Sequence, residues 1–98
     1  MIDVQQIEQK AIFSGALTRA TITRAFDKKY RDLVKGERII LDLAKVDQID
    51  TAGLAWILLL IELASKTTCH ISLVNLPEDL VKLAKLSAVD TLLPTENT

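Results

Sequence analysis

The stretch Asp50-Thr51-Ala52-Gly53-Leu54 places a carboxylate, a hydroxyl and a glycine at the head of an apolar run from Ala52 to Ile61. Those residue types, in that order, suit the first turn of a helix, where backbone N–H groups lack intrahelical partners and the helix dipole is positive. One reading is capping. Either Asp50 or Thr51 can accept a hydrogen bond from a free N–H, worth about 1 kcal/mol, while Gly53 lets a neighbouring element pass close by. The other reading turns the same physics into a switch. A phosphate added to Thr51 would meet N–H donors and a favourable dipole, stand beside Asp50, and put a large charge on an exposed rim. The local pattern admits both.

Elsewhere the chemistry is sparse. Cys69 is the only cysteine, and although His70 follows it, adjacent residues of a strand point to opposite faces. One cysteine and one histidine cannot furnish a zinc site. Asp42, Asp47 and Asp50 have no basic or histidine companion nearby and read as solvated loop acids. Glycine-rich phosphate loops, dinucleotide fingerprints, nucleophile elbows and metal-spaced clusters are all missing from the sequence. We therefore expect no metal and no cofactor, and a binding module rather than an enzyme.

Composition narrows the class further. A chain of 98 residues with a hydrophobic fraction of 49% makes one domain with a real core. Its formal charge of −1 gives no nucleic-acid footprint, and the basic group in "DKKYR" at 27 to 31 reads as a solvated helix face. The lone cysteine allows no intrachain disulfide and fits a reducing compartment. "MIDVQQIEQK" has no basic region leading into an apolar run, so no signal peptide is expected and the cytoplasm is the default. Crossing a bilayer takes about 20 mostly apolar residues. The run here is half that before Glu62 interrupts it, so no direct membrane insertion is expected.

The elements that must hold the Asp50–Leu54 stretch follow from hydrophobic period. "IDVQQIEQ" and "KAIFSGAL" read as two short strands joined through Glu8 to Lys10, with Gly15 marking a bend or bulge. From 22 to 35 the spacing of Ile22, Phe26, Tyr30 and Leu33 or Val34 is helical, with Thr21 or Thr23 as cap and Gly36 closing the end. "RIILDL", 38 to 43, reads as a central strand buried on both faces, and "AKVDQID" as a loop to the long helix, Thr51 to about Lys66. "HISLVN", 70 to 75, is another strand. A last helix begins at Pro77, with Glu78 and Asp79 in its first turn and Leu80, Leu83, Ala84 and Ser87 turned inward. Residues 93 to 98 are expected to be a tail. The order is β-β-α-β-α-β-α, an α/β fold with helices covering the sheet, and the two strands flanking the long helix should be parallel.

The long helix carries two apolar stripes. Leu54, Ile57, Leu58, Ile61 and Ala64 make a core-facing side at helical spacing, with Trp56, Leu59 and Leu63 roughly opposite and Leu60 between. The second stripe is covered either by another helix of the domain or by a partner protein. Tryptophan, enriched at interface hot spots, favours the partner.

"RIILDLAKVDQIDTAGLAWILLLIELA" resembles the signature of the STAS domain: an apolar strand ending in Asp-Leu, a short loop, then Asp-Ser/Thr-x-Gly-Leu opening a helix. "FSGAL" is similar to the strand before that family's first helix, and "HISLVNLPEDLVKLAKLSAVDTLLP" to its last strand and helix. The resemblance spans residues 1 to 98 as a single STAS domain with a four-stranded mixed sheet. It is strongest to MlaB-like members, given the stand-alone size, Thr51 and "LAKLSAVDTLLP". It implies a non-catalytic cytoplasmic subunit of a phospholipid-transporting ABC complex of MlaFEDB type, which maintains outer-membrane lipid asymmetry. Such a subunit binds the MlaF-like ATPase and, through it, an inner-membrane permease. Asp50, Thr51, Gly53, Leu54, Trp56, Leu59 and Leu63 would form or adjoin that contact. The alternative it implies is an anti-sigma factor antagonist, whose partner is an anti-sigma factor kinase that phosphorylates the residue after the motif aspartate, here Thr51. Antagonists usually carry serine there.

Overall fold

The computed structural model describes residues 1–95. The chain begins as a hairpin, β1 (Ile2–Ile7) and β2 (Lys10–Leu17), closed by a two-residue turn in which Glu8 takes φ 54°. Helix α1 (Arg24–Tyr30) leads into β3 (Arg38–Ile49), then α2 (Thr51–Lys66), β4 (His70–Val74) and α3 (Glu78–Leu86). The sheet order is β1-β2-β3-β4. The hairpin is antiparallel, whereas β3 runs parallel to both β2 and β4. The mixed four-stranded sheet and the β-β-α-β-α-β-α order expected from the pattern are present.

One face of the sheet holds the core. Ala11, Phe13, Ile39, Leu41, Leu43 and Leu73 pack with Phe26 of α1, with Leu54, Trp56, Ile57, Leu60 and Ala64 of α2, and with Leu80 and Ala84 of α3. Of the residues that alternate with them in the strands, Lys10, Ile12, Ile40 and Ser72 are exposed or half-buried, whereas Asp42 and its register partner Val74 are buried. β3 is therefore central but not buried on both faces as its apolar run suggested. The helices cover one side, and Ile40 looks out from the other.

Several boundaries differ from the expected ones for identifiable reasons. The "AKVDQID" segment is not a loop. Residues 44 to 49 continue β3, pairing Lys45 with Ser14, Val46 with Gly15, Gln48 with Ala16 and Ile49 with Leu17. Its polar residues face solvent while Val46 stays buried, and two register irregularities in the β2–β3 ladder obscure the alternation. Helix α1 starts at Arg24, capped by Thr23, whose hydroxyl accepts the Phe26 N–H at 3.1 Å. Thr21 instead folds its hydroxyl into the preceding loop, donating to Ala16 O. The α-helix ends at Tyr30 and tightens into a 3₁₀ turn over Arg31–Leu33, which brings Leu33 and Val34 into the core ahead of Gly36 at φ 75°.

Ser87 is exposed rather than inward, because α3 closes immediately after Leu86. Of the expected tail, Leu93 is buried, and Pro94 O accepts the Leu73 N–H at 2.8 Å, placing Thr95 beside β4. Residues 96 to 98 lie outside the described part of the chain. No helix of the described residues is long and apolar enough to cross a membrane.

Candidate functional site

Asp50 follows the last residue of β3 and caps α2. Its backbone is extended at φ −128°, ψ −172°, which leaves the carboxylate free to turn back on the first helical turn. Oδ1 accepts the Gly53 N–H at 3.0 Å, and Oδ2 accepts the Arg19 N–H at 3.0 Å. One carboxylate thus satisfies a helix N-terminus and pins the loop between β2 and α1 against it. The Arg19 N–H is the foremost reason that the Asp50 carboxyl sits below the ordinary carboxylate range, and the Gly53 N–H adds to it. The capping belongs to Asp50 alone. Thr51, the first helical residue, is exposed and contributes none of the side-chain hydrogen bonds around the helix start.

Gly53 is buried for a steric reason. A Cβ there would lie 2.1 Å from Leu17 O and 2.8 Å from Ile49 Cγ1. The first turn of α2 rests directly on the ends of β2 and β3, and only a residue without a side chain permits that approach. This fixes the height at which Thr51 stands above the sheet edge.

Trp56 is not on an exposed stripe. Only 4% of its surface is accessible. Its ring packs edge-on to Phe13 at 5.9 Å between centroids and tilted against Phe26 at 5.0 Å, and its indole N–H donates to Asp27 Oδ1 at 2.9 Å. Of the two coverings the pattern allowed, another helix of the domain holds for this part of the second stripe: α1 packs over Trp56, although tryptophan itself had favoured a partner. Asp27 also accepts from the Arg31 guanidinium, the main influence lowering its pKa, with burial opposing and Trp56 helping. Leu54 is likewise buried. Leu59 and Leu63 are half-buried, and so are Leu58 and Ile61, although the helical spacing puts these two on the core-facing stripe.

What the fold presents on this side is the outer face of the first half of α2. Thr51 and Ala55 are exposed, and Ala52, Leu58 and Leu59 are half-buried beside them, with no charged residue before Glu62. A shallow groove between the start of α1 and this face is lined by Ile22, Thr23, Arg24 and Asp27 on one side and by Ala52, Ala55 and Leu59 on the other. A second hollow, on the other flank of the helix start, is lined by Thr18, Arg19, Ala20, Gln48, Ile49 and Asp50. Of the expected site residues, the structure brings Asp50, Thr51 and Leu59 together at the surface and puts Gly53, Leu54 and Trp56 beneath them as support. Leu63 lies about one turn beyond Leu59. Arg19, Ala55 and Leu58 stand beside these residues without being among those expected there. For Ala55, four positions from Thr51, the helical spacing was a usable signal; for Leu58 it pointed to the core-facing stripe instead, and for Arg19, held across 31 positions, there was none.

The remaining candidates for chemistry are structural. Asp42 is not a solvated loop acid. It is 9% exposed and accepts from the Ala44 N–H at 3.0 Å and the Asn75 amide at 3.1 Å, with Lys10 Nζ 3.4 Å away. Burial would raise its pKa, but these three partners together hold it low. Cys69 is buried, and that burial pushes its thiol pKa up, away from reactivity. Among the described residues, no group of histidine, cysteine, aspartate and glutamate stands close enough to hold a metal ion.

Comparison with known folds agrees with this architecture. An anti-sigma factor antagonist of Mycobacterium paratuberculosis superposes with a TM-score of 0.75 at 19% identity, covering 100% of this chain and 86% of the other. The unphosphorylated form of the anti-sigma factor antagonist SpoIIAA gives 0.72 at 12% identity, covering 99% and 89%. A Thermotoga maritima protein described as an anti-sigma factor antagonist gives 0.75 at 20% identity, covering 99% and 86%. At such identities the likeness is one of fold. A search of curated proteins by sequence finds no match. A family model, that of the MlaB STAS domain, matches residues 4–94. With nearly the whole chain matched and the fold in agreement, this protein belongs to the MlaB-like STAS domain family.

Proposed function

We propose that this domain is a docking subunit that binds the ATPase of a phospholipid-transporting ABC complex, MlaF-like, through the outer face of α2. The observation that carries the reading is the uncharged surface of Thr51, Ala52, Ala55, Leu58 and Leu59 at the head of a helix whose opposite side is fully used by the core. The MlaB-like family match supports the choice of partner. In this reading the protein neither hydrolyses ATP nor carries lipid. It supports assembly and activity of the ATPase at the cytoplasmic side of the inner membrane.

Tagged protein purified from cells should bring down an ABC ATPase. Ala55→Asp, at an exposed position on the same face, should weaken that capture at least tenfold with the melting temperature held within a few degrees, because a charge buried at an interface core costs several kcal/mol. Capture of a kinase-like anti-sigma factor in place of an ATPase would refute the transporter reading. That outcome would instead support the second reading, an anti-sigma factor antagonist switched at Thr51. The exposed Thr51 hydroxyl next to Asp50 favours it, and its signature would be a phosphorylated Thr51 in cell extracts.

A further inference from the structure

The two edges of the sheet are finished differently. Alongside β4, the chain's own Pro94 carbonyl accepts the Leu73 N–H and Thr95 forms a parallel bridge with Leu73, so this edge is partly covered. Among the described residues, β1 has no strand beside it but β2. Natural edge strands are usually blunted by lysine, proline, a bulge or a covering segment. β1, Ile-Asp-Val-Gln-Gln-Ile, has one charged residue, no lysine and no proline, and its ladder with β2 runs six pairs without a register shift.

The phase of that ladder identifies the free groups. Ala16 N donates to Met1 O at 2.9 Å, so Met1 and Ala16 form a hydrogen-bonded pair. By alternation the pairs of Asp3, Gln5 and Ile7 are hydrogen-bonded too. The N–H and C=O groups of Ile2, Val4 and Gln6 then point outward, and among the described residues none of them has a protein partner. Val4 shares a face with its register partner Phe13, hence the helix side, so Asp3, Gln5 and Ile7 face the open side.

We propose that β1 pairs antiparallel with β1 of a second copy of this chain about a two-fold axis midway between the two Val4 residues, joining two sheets into one of eight strands. This register is the self-complementary one. A two-fold perpendicular to the sheet keeps each face on its own side, so residues of like parity must oppose. Centring it between the two Val4 residues places Val4 against Val4 and Ile2 against Gln6 of the second copy, matching every outward N–H with an outward C=O. On the open face it sets Asp3 against Gln5 of the second copy, so no like charges meet. It also brings Met1 and Ile7, two of the large apolar side chains left exposed at 102% and 51%, opposite one another across the axis. The pairing does not depend on which protein binds α2.

Sedimentation equilibrium over a concentration series, with amide hydrogen exchange at each end of it, tests the arrangement on the full chain. Wild type should pass from monomer to dimer as concentration rises, with added protection at the Ile2, Val4 and Gln6 amides and none at the already bonded Asp3 and Gln5. Gln5 is exposed, so it can be changed without touching the core. Gln5→Lys puts a lysine opposite Asp3 twice per dimer and should tighten dimerisation about tenfold, whereas Gln5→Asp opposes carboxylates and should loosen it about as much. Opposite shifts at one exposed position are not what a general loss of stability would give. A chain that stays monomeric at every concentration overturns the proposal. So does a dimer indifferent to both variants, or one whose new protection falls elsewhere.

Discussion

Gly53→Ala tests the geometry on which the whole candidate site rests. By helix propensity alone the change should help, because glycine inside a helix is less favourable than alanine by about 1 kcal/mol. The structure predicts the reverse. The added methyl would sit 2.1 Å from Leu17 O and 2.8 Å from Ile49 Cγ1, and ordinary contact begins near 3.4 Å. Ile49 can rotate away, but the obstacle at Leu17 is backbone within a paired strand. The first turn of α2 would therefore have to lift by more than 1 Å, stretching both hydrogen bonds of Asp50 and lowering the packing of Leu54. Overpacking of this kind costs about 1–3 kcal/mol, and weakening a helix cap adds about 1 kcal/mol. Set against the propensity gain of about 1 kcal/mol, the net loss is about 2 kcal/mol. For a domain of this size that corresponds to a melting temperature lower by roughly 8–16 °C. Gly36→Ala is the useful comparison. Gly36 has φ 75°, and a Cβ added there would meet no atom within 4 Å, so the change carries only the left-handed backbone penalty, about 1 kcal/mol. Thermal unfolding followed by circular dichroism should rank wild type above Gly36→Ala and Gly36→Ala above Gly53→Ala. A Gly53→Ala protein as stable as wild type, or more so, would show that α2 does not approach β2 this closely.

Trp56→Ala should destabilise by about 3–5 kcal/mol, the range for removing a large aromatic from a core, and should reduce partner capture only through loss of folded protein. Trp56→Phe should cost less, and denaturant unfolding read by circular dichroism should separate the two. Stability should also fall in acid. Asp27, Asp42 and Asp50 all have folded-state pKa values below the ordinary carboxylate value of 3.8. A group depressed in this way contributes stability that is complete above its unfolded pKa and is lost as pH falls through the folded one. Urea midpoints should thus be flat from neutral pH to about pH 5 and decline below it. Asp50→Asn should flatten part of that decline, and an unchanged acid limb would contradict the role assigned to the Asp50 carboxylate.

Where the sequence was legible, a single physical signal dominated. The long helix was readable to its ends because Asp50 caps it and the apolar run fills it, and Pro77 with Glu78 and Asp79 marked the start of α3 equally well. Where it was misleading, local pattern competed with pairing across the chain. "AKVDQID" has the composition of a loop, and only its ladder with β2 makes it strand. The two possible coverings of Trp56, a helix of the domain or a partner, could not be told apart for a related reason. A helical wheel shows that Trp56 lies off the Leu54–Ile57 stripe, but not that α1 folds over it and offers Asp27 to its indole across 29 positions. Likewise, nothing local to Asp42 shows that Lys10 and Asn75, from β2 and the end of β4, make it a tie between strands rather than a solvated acid. The helix start could be located from sequence; the side on which it was still free could not.

That distinction bears on how a change at Thr51 would act. Asp50 already satisfies the Gly53 and Arg19 N–H groups, so the exposed Thr51 hydroxyl is not part of what holds the helix start in place. Negative charge at the first helical position interacts favourably with the dipole by about 0.3–1 kcal/mol at the surface, and its repulsion from Asp50 opposes this in solvent-screened surroundings. The two contributions are of similar size and opposite sign, so the fold has little stake in whether position 51 is charged. A protein lying against Ala55, Leu58 and Leu59 would have a large one, since a charge buried without a partner costs several kcal/mol. An effect of Thr51→Glu on partner capture without an effect on unfolding follows from that asymmetry, whichever partner the outer face of α2 receives.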